Sequence, residues 1–328
     1  MLSQSRNSKK SAIFSIVVLV VAALGFLNRQ YIYDQVQVYA YSPSSQVLDI
    51  VNKSALSDTG KFYLYASNVS IDSASEFNTN CQRQEPGNAI LGCYADRKIY
   101  IYDVNNTTLE GIKEVTAVHE MLHAAWDRLG QSDMDRISTM LEAAYELNKT
   151  PDLIDRMSYY SRNEAGQRSN ELHSIVGTEM KNIGSDLEDY YSKFFTDRNK
   201  VVQLFKDYNS VFEQLSKQSD TLYKELNDLS AKVSTQSKLY EQNVKTLSAD
   251  IKQFNEDADS GNFSSIYQFN IRRNELIART SQIDADRVSI NNMIDAYQTK
   301  YSQYQNLIIQ NQTLNNSIDS HVEPAPSL

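Results

Sequence analysis

His119-Glu120-Met121-Leu122-His123 is the stretch from which the rest of the chain is read. On a helix, residues four apart lie one above the other, so the two imidazoles can reach a single metal ion. Glu120 sits one step round and can face a water held by that ion. The chain has only four histidines, and two of them are here. Val115, Ala117, Val118, Met121, Leu122, Ala124, Ala125 and Trp126 surround the pattern on most sides, which predicts a buried helix. Two histidines and a glutamate in such a helix are costly unless something pairs them, and a metal does so. The bland alternative is a pair of core histidines bonded to carbonyls.

The segment resembles the active-site helix of the zincin metallopeptidases. A site with two histidines needs a third protein ligand. Residues 168–180 offer Glu171, His173 and Glu179. Asn170-Glu171-x-x-Ser174 resembles the second motif of the gluzincin branch, whose glutamate binds zinc. That resemblance makes Glu171 the first choice, with His173 and then Glu179 as alternatives. The small residues Ser174 and Gly177 would let this helix approach the first closely. Thermolysin-type gluzincins carry an acidic residue four positions after the ligand glutamate, to orient a ligand histidine; here that position is Ile175. The support is then expected from elsewhere, with Glu179 as candidate. Tyr159, Tyr160 and Tyr191 are candidates for stabilising an oxyanion, although tyrosine is abundant and usually packs.

The chain of 328 residues has room for more than one domain, and scarce Gly and Pro (10 and 5) favour long helices. A net charge of −9 argues against nucleic acid as a partner. Arg6, Lys9 and Lys10 precede an uncharged run over residues 12–27. By length and flanking charge this reads as a transmembrane anchor at 11–28, with residues 1–10 cytoplasmic and the rest outside. A signal peptide cleaved after Val21-Ala22-Ala23 is the alternative. In an exported chain, Cys81 and Cys93 are expected to form a disulfide across a loop containing Pro86-Gly87.

Residues 36–41, 61–66 and 98–103 read as strands, the last being rich in β-formers and resembling a zincin edge strand. Ser44 is expected to cap a helix running to about residue 55. Thr107 and Glu110 fit a capping box, Gly130 a helix C-terminal glycine, and Pro151 the first turn of a helix. Met134, Ile137, Met140, Leu141, Ala144 and Leu147 recur at helical spacing.

From residue 186 the composition changes. Phe205, Phe212, Leu226, Val233, Tyr240, Leu247 and Phe254 recur at multiples of seven, and Phe269, Leu276, Ile283, Ile290, Tyr297 and Tyr304 form a second seam. A break at 257–262 makes an antiparallel hairpin the expected arrangement, a parallel oligomeric coil being the alternative.

The expected fold is therefore an N-terminal transmembrane helix, an α+β, mostly helical, zincin-like domain at 29–185, an antiparallel coiled-coil hairpin at 186–316, and a disordered tail at 317–328. What the resemblance implies is a zinc metallopeptidase, and with the anchor read at 11–28 it is expected to act on a peptide or protein outside the cell membrane. His119, His123 and Glu171 would hold Zn2+, and Glu120 would be the general base. The coil would serve a protein partner or self-association. The competing expectation is a structural surface protein in which the coil carries the function and the zinc module is degenerate.

Overall fold

A computed structural model describes residues 4–81, 89–163 and 166–321. The chain forms α1 (Gln4–Leu27) and α2 (Arg29–Ala40) before any strand. Residues 36–41 are therefore mostly helical and not a strand. Gln30 bonds to Asp34 one turn on, and buried Asp34 and hydrogen-bonded Gln37 lie on one helical face, a periodicity of 3.6 and not 2. No single described helix is long and apolar enough to cross a membrane. The stretches Phe14–Leu27 and Arg29–Ala40 meet that standard only together, across a 69° bend. The run at 12–27 is helical but would span roughly 24 Å of a hydrocarbon core about 30 Å thick.

Ser44 caps α3 (Ser45–Lys53), accepting from the Val47 N–H. Residues 61–66, expected as a strand, lie in α4 (Asp58–Ala66). The aromatic side chains there suit a strand, but Ser57 caps a helix through the Gly60 N–H and Leu64 faces the core. A three-stranded sheet follows: β1 (Ser70–Asp72), then α5 (Ala74–Asn80), β2 (Gly92–Ala95) and β3 (Lys98–Tyr102). Its order is β1-β3-β2, with β1 parallel and β2 antiparallel to β3. The strand at 98–102 is thus central, and the edge on its antiparallel side is β2. The turn between β2 and β3 places Asp96 and Arg97 at positive φ, as a tight hairpin demands. Cys81 and Cys93 lie at disulfide distance, their Cα atoms 5.9 Å apart, which ties the end of α5 to the middle of β2. Pro86 and Gly87 lie outside the described residues.

The helix with the two histidines, α6 (Ile112–Trp126), begins after a short 3₁₀ turn at Thr107–Leu109. The capping box at Thr107 and Glu110 does not form: Asn106 caps the turn, and Glu110 pairs with Lys53. Gly111 starts α6 at φ +97°, a conformation that a side chain would strain. A capping box does form at Ser73 and Glu76, ahead of α5. Gly130 has φ −76° and precedes α7 (Gln131–Asn148), so it caps the start of that helix and not the end of α6. Ile137, Leu141 and Ala144 are buried in α7, whereas Leu147 is exposed. The chain continues through α8 (Pro151–Asn163), α9 (Arg168–Thr178) and α10 (Ser185–Tyr191) into the two long helices α11 (Asn199–Asp259) and α12 (Ile266–Ile318).

Two compact units result. The first holds residues up to 211 together with residues from 314, and the second holds 212–313. The boundary expected at 186 falls instead inside α11. Tyr190, Tyr191, Phe194, Phe195 and Val201 are buried in the first unit's core, so the chain from 186 to 211 belongs there. Residues 317–321, expected as disordered tail, are also ordered: Ser317 accepts from Asn106, and Ser320 exchanges two hydrogen bonds with Asn78. The rest of that tail lies outside the described residues. Within the second unit the helices run antiparallel, linked by Asp257–Arg272, Asp250–Arg279 and Glu225–Lys300, with Phe254, Phe263 and Phe269 clustered at the turn.

Candidate metal centre

The core of the first unit is built round α6, whose residues Ala117, Val118, Met121, Leu122 and Ala124 are fully buried. The helix α9 packs across it at Gly177. A Cβ there would lie 2.4 Å from Leu122 Cδ1 and 2.9 Å from Tyr191 Cε1, so any side chain would force those buried groups to shift. The close crossing brings Glu171, near the start of α9, over the two histidines. His119 Nε2 lies 3.5 Å from one Glu171 oxygen and His123 Nε2 lies 3.4 Å from the other. One ligand atom from each residue lies within 4.8 Å of the others, so the three could hold a metal ion. They are partly shielded, with side chains 14–19% exposed.

The two alternatives for the third ligand are placed elsewhere. Residues 171 and 173 point roughly 200° apart around a helix, so only one can face α6's histidines. His173 is fully buried, with Nε2 2.9 Å from the Tyr190 hydroxyl and its ring packed on Trp126 and Tyr191. Burial pushes its pKa down to about 3, so it is a neutral core residue. Glu179 lies just past the end of α9 and pairs with Arg156 at 2.7 Å, so it supports neither histidine. Support at His123 comes from Asn170, whose Oδ1 lies 2.9 Å from Nδ1. That contact fixes the ring so that Nε2 faces Glu171. Asn170 stands in the Asn-Glu-x-x-Ser pattern itself, and its place there was the available signal.

Electrostatics tie the group together. Burial works against ionisation of Glu171, but His119 and His123 outweigh it and hold the carboxyl well below the usual range. Burial depresses His123, yet Glu171, Glu120 and Asn170 together push it up to about 9. Glu120 is buried beside the group, and desolvation raises its pKa despite the opposing pull of the histidines.

The strand β2 lies against Glu120. The Tyr94 backbone lies close enough to the Glu120 carboxyl to favour its ionised form slightly. At Gly92 a Cβ would meet Thr116 Cγ2 at 2.6 Å and Glu120 Cγ at 2.9 Å. Tyr102 N–H bonds to Leu91 O, and the register pairs Cys93 with Tyr100. Antiparallel alternation then turns the N–H and C=O of Gly92 and Tyr94 away from β3, to the sheet's open edge. The Tyr94 hydroxyl accepts from Arg128 and donates to Asp127. Arg128 in turn makes a buried two-pronged pair with Asp34 of α2, at 2.9 and 2.8 Å. Sequence reasoning passed over this chain of contacts from α2 to the edge strand, because no local pattern links residues 34, 94 and 128.

Of the oxyanion candidates, Tyr191 is fully buried and donates its hydroxyl to the His173 carbonyl, so it is a core residue. Tyr159 and Tyr160 stand edge to face on α8. No protein-family model, curated protein or solved structure matches this chain.

Proposed function

We propose that this protein is a zinc metallopeptidase, anchored in a membrane by α1 and acting on peptide bonds outside it. One observation carries the zinc reading. Ligand atoms at about 2.0–2.1 Å around a tetrahedral ion stand about 3.4 Å apart. The imidazole–carboxylate separations of 3.5 and 3.4 Å, one to each Glu171 oxygen, are of that size, and one ligand atom from each residue lies within 4.8 Å of the others. They also exceed the roughly 2.7–2.9 Å of a charge-assisted hydrogen bond. Two imidazoles and one carboxylate are a donor set typical of catalytic zinc, which keeps a further position open.

Zinc held there supplies Lewis acidity, polarising the scissile carbonyl and bringing the pKa of a water down to roughly 7. The chain's own residues do the rest. Glu120 accepts a proton from the attacking water as the oxygen–carbon bond forms. It returns that proton to the nitrogen as the carbon–nitrogen bond breaks, leaving a carboxylic acid and an amine. Its burial favours the protonated intermediate stage. An extended substrate segment would pair with the open edge at Gly92, gaining main-chain hydrogen bonds beside the general base. The edge role therefore passes from β3 to β2.

Anchoring is supported by the exposed apolar side chains from Phe14 to Leu27 behind Arg6, Lys9 and Lys10. Export is supported by the Cys81–Cys93 pair. A second reading, a surface protein whose hairpin carries the function, is favoured by the separate compact unit at 212–313. The two separate on Glu120→Gln. The variant is expected to keep stoichiometric zinc and lose peptide cleavage by about 10²–10⁴-fold. Zinc in both proteins with cleavage in neither would favour the hairpin reading.

A further inference from the structure

The helix α2 has its faces the wrong way round for a surface helix in water. The face toward the protein is polar. Asp34 is 2% exposed and paired with Arg128, Gln37 accepts from Asn68, and Tyr41, just beyond the helix, donates to the Val69 carbonyl. The opposite face holds Ile32, Val36 and Tyr39, at i, i+4 and i+7, with exposures of 49%, 57% and 94%. Tyr31 and Tyr33, 58% and 41% exposed, flank it. Residues 29–40 carry only two charges, Arg29 and the buried Asp34, in a chain with 41 acidic residues. The outward face therefore presents no carboxylate.

This face continues the apolar surface of α1 across the 69° bend. At the bend, the Arg29 guanidinium lies over the Phe26 ring at 5.0 Å. Together α1 and α2 have the composition of a broken membrane span, but α2 cannot be its second half. Its polar face is committed to the folded body through the buried Asp34–Arg128 pair, whose side chains are 3% and 5% exposed. What remains is an orientation along the surface. Tyrosines and an arginine at that level are the residues that favour the boundary between headgroups and acyl chains.

We propose that α2 lies in the plane of a lipid bilayer, with Ile32, Val36 and Tyr39 in the interface, and so holds the metal-binding unit directly against the membrane. The inference rests on α1 being inserted, but not on the peptidase reading. The test uses the full chain with Tyr39→Trp and phosphatidylcholine–phosphatidylglycerol vesicles. The lipids carry bromine either near the headgroups or near the chain ends. The native Trp126, 8% exposed, gives the background in the unsubstituted protein. The expected result is loss of the introduced tryptophan's emission with the shallow-brominated lipid and less loss with the deep one. A further variant, adding Ile32→Glu and Val36→Glu, should abolish the interfacial depth without reducing zinc content. Protein that sediments with vesicles while the introduced indole stays unquenched would overturn the placement of α2 and leave the α1 anchor standing. Failure to bind vesicles would overturn both. A blue shift of the new emission that follows dimerisation in the absence of lipid would assign the face to a second copy of the chain instead.

Discussion

His123 carries a pH response that can be worked out in sign. In the metal-free fold its pKa is raised from 6.5 to about 9, chiefly by Glu171 and Glu120 acting against burial. The protonated form therefore stabilises the metal-free fold fully below 6.5, and that contribution is lost as pH rises through about 9. Zinc needs the neutral imidazole and must displace that proton. Zinc uptake at neutral pH should thus release about one proton from His123, and affinity should climb with pH up to about 9. Zinc titrations in buffers of different ionisation enthalpy measure both effects. A pH-independent affinity would mean that the imidazole is already free. The ligand assignment has its own outcome: Glu171→Ala should release zinc. His173→Ala should keep zinc while costing on the order of 2–4 kcal/mol in unfolding free energy, because it empties a packed aromatic site. Zinc content and denaturant midpoints read the two apart. At this scale the sequence was legible where chemistry and spacing coincide, as at His119 and His123, which the fold groups with Glu171. It left 171 and 173 open because both are good ligands. Only the direction each takes around α9 decides, and that depends on which face Gly177 lets approach Leu122.

The elements around the site show a different pattern of success. Strong local signals settled α6, α7 and the strand at 98–102. Short aromatic runs misled, since the Phe-Tyr-Leu-Tyr segment in α4 suits a strand by side chain and becomes a helix through its Ser57 cap and tertiary packing. The edge strand β2 was missed because four residues with Gly and Cys among them carry no alternation to read. Its position depends on the bond from Cys93 to Cys81 and on pairing with β3. Reducing that disulfide should lower stability by about 3 kcal/mol through the loop it closes. Denaturant unfolding with and without reductant gives the number. Cleavage should fall with it while zinc stays bound, because β2 holds Glu120 and the ligands rest on α6 and α9. Zinc loss on reduction would show that the sheet supports the ligands as well.

Across the whole molecule, the heptad seams announced the hairpin, and the glycine at φ +67° marks its turn. What they could not announce was where the hairpin stops being a separate body. The first turns of α11 bury Val201 and Val202 in the first unit, and the end of α12 and the residues after it return to Asn106 and Asn78. Hydrophobic spacing is the same in both settings, so the seam alone does not mark the boundary. Replacing 212–313 with a short linker should leave a folded, zinc-binding first unit. Circular dichroism and metal analysis of the shortened chain check this, and a loss of folding would show that the hairpin is needed to hold that unit.

The link from Asp34 to Arg128 has a consequence for substrate choice. Arg128 lies two residues beyond the end of α6, and its partner lies on the helix inferred to rest on lipid. The His119–His123–Glu171 group would then stand at a set height above the bilayer. On the proposed peptidase reading, a protein embedded in the same membrane would meet that group at that elevation above its own point of entry. Segments folded tight against the lipid, or too short to rise to it, would escape.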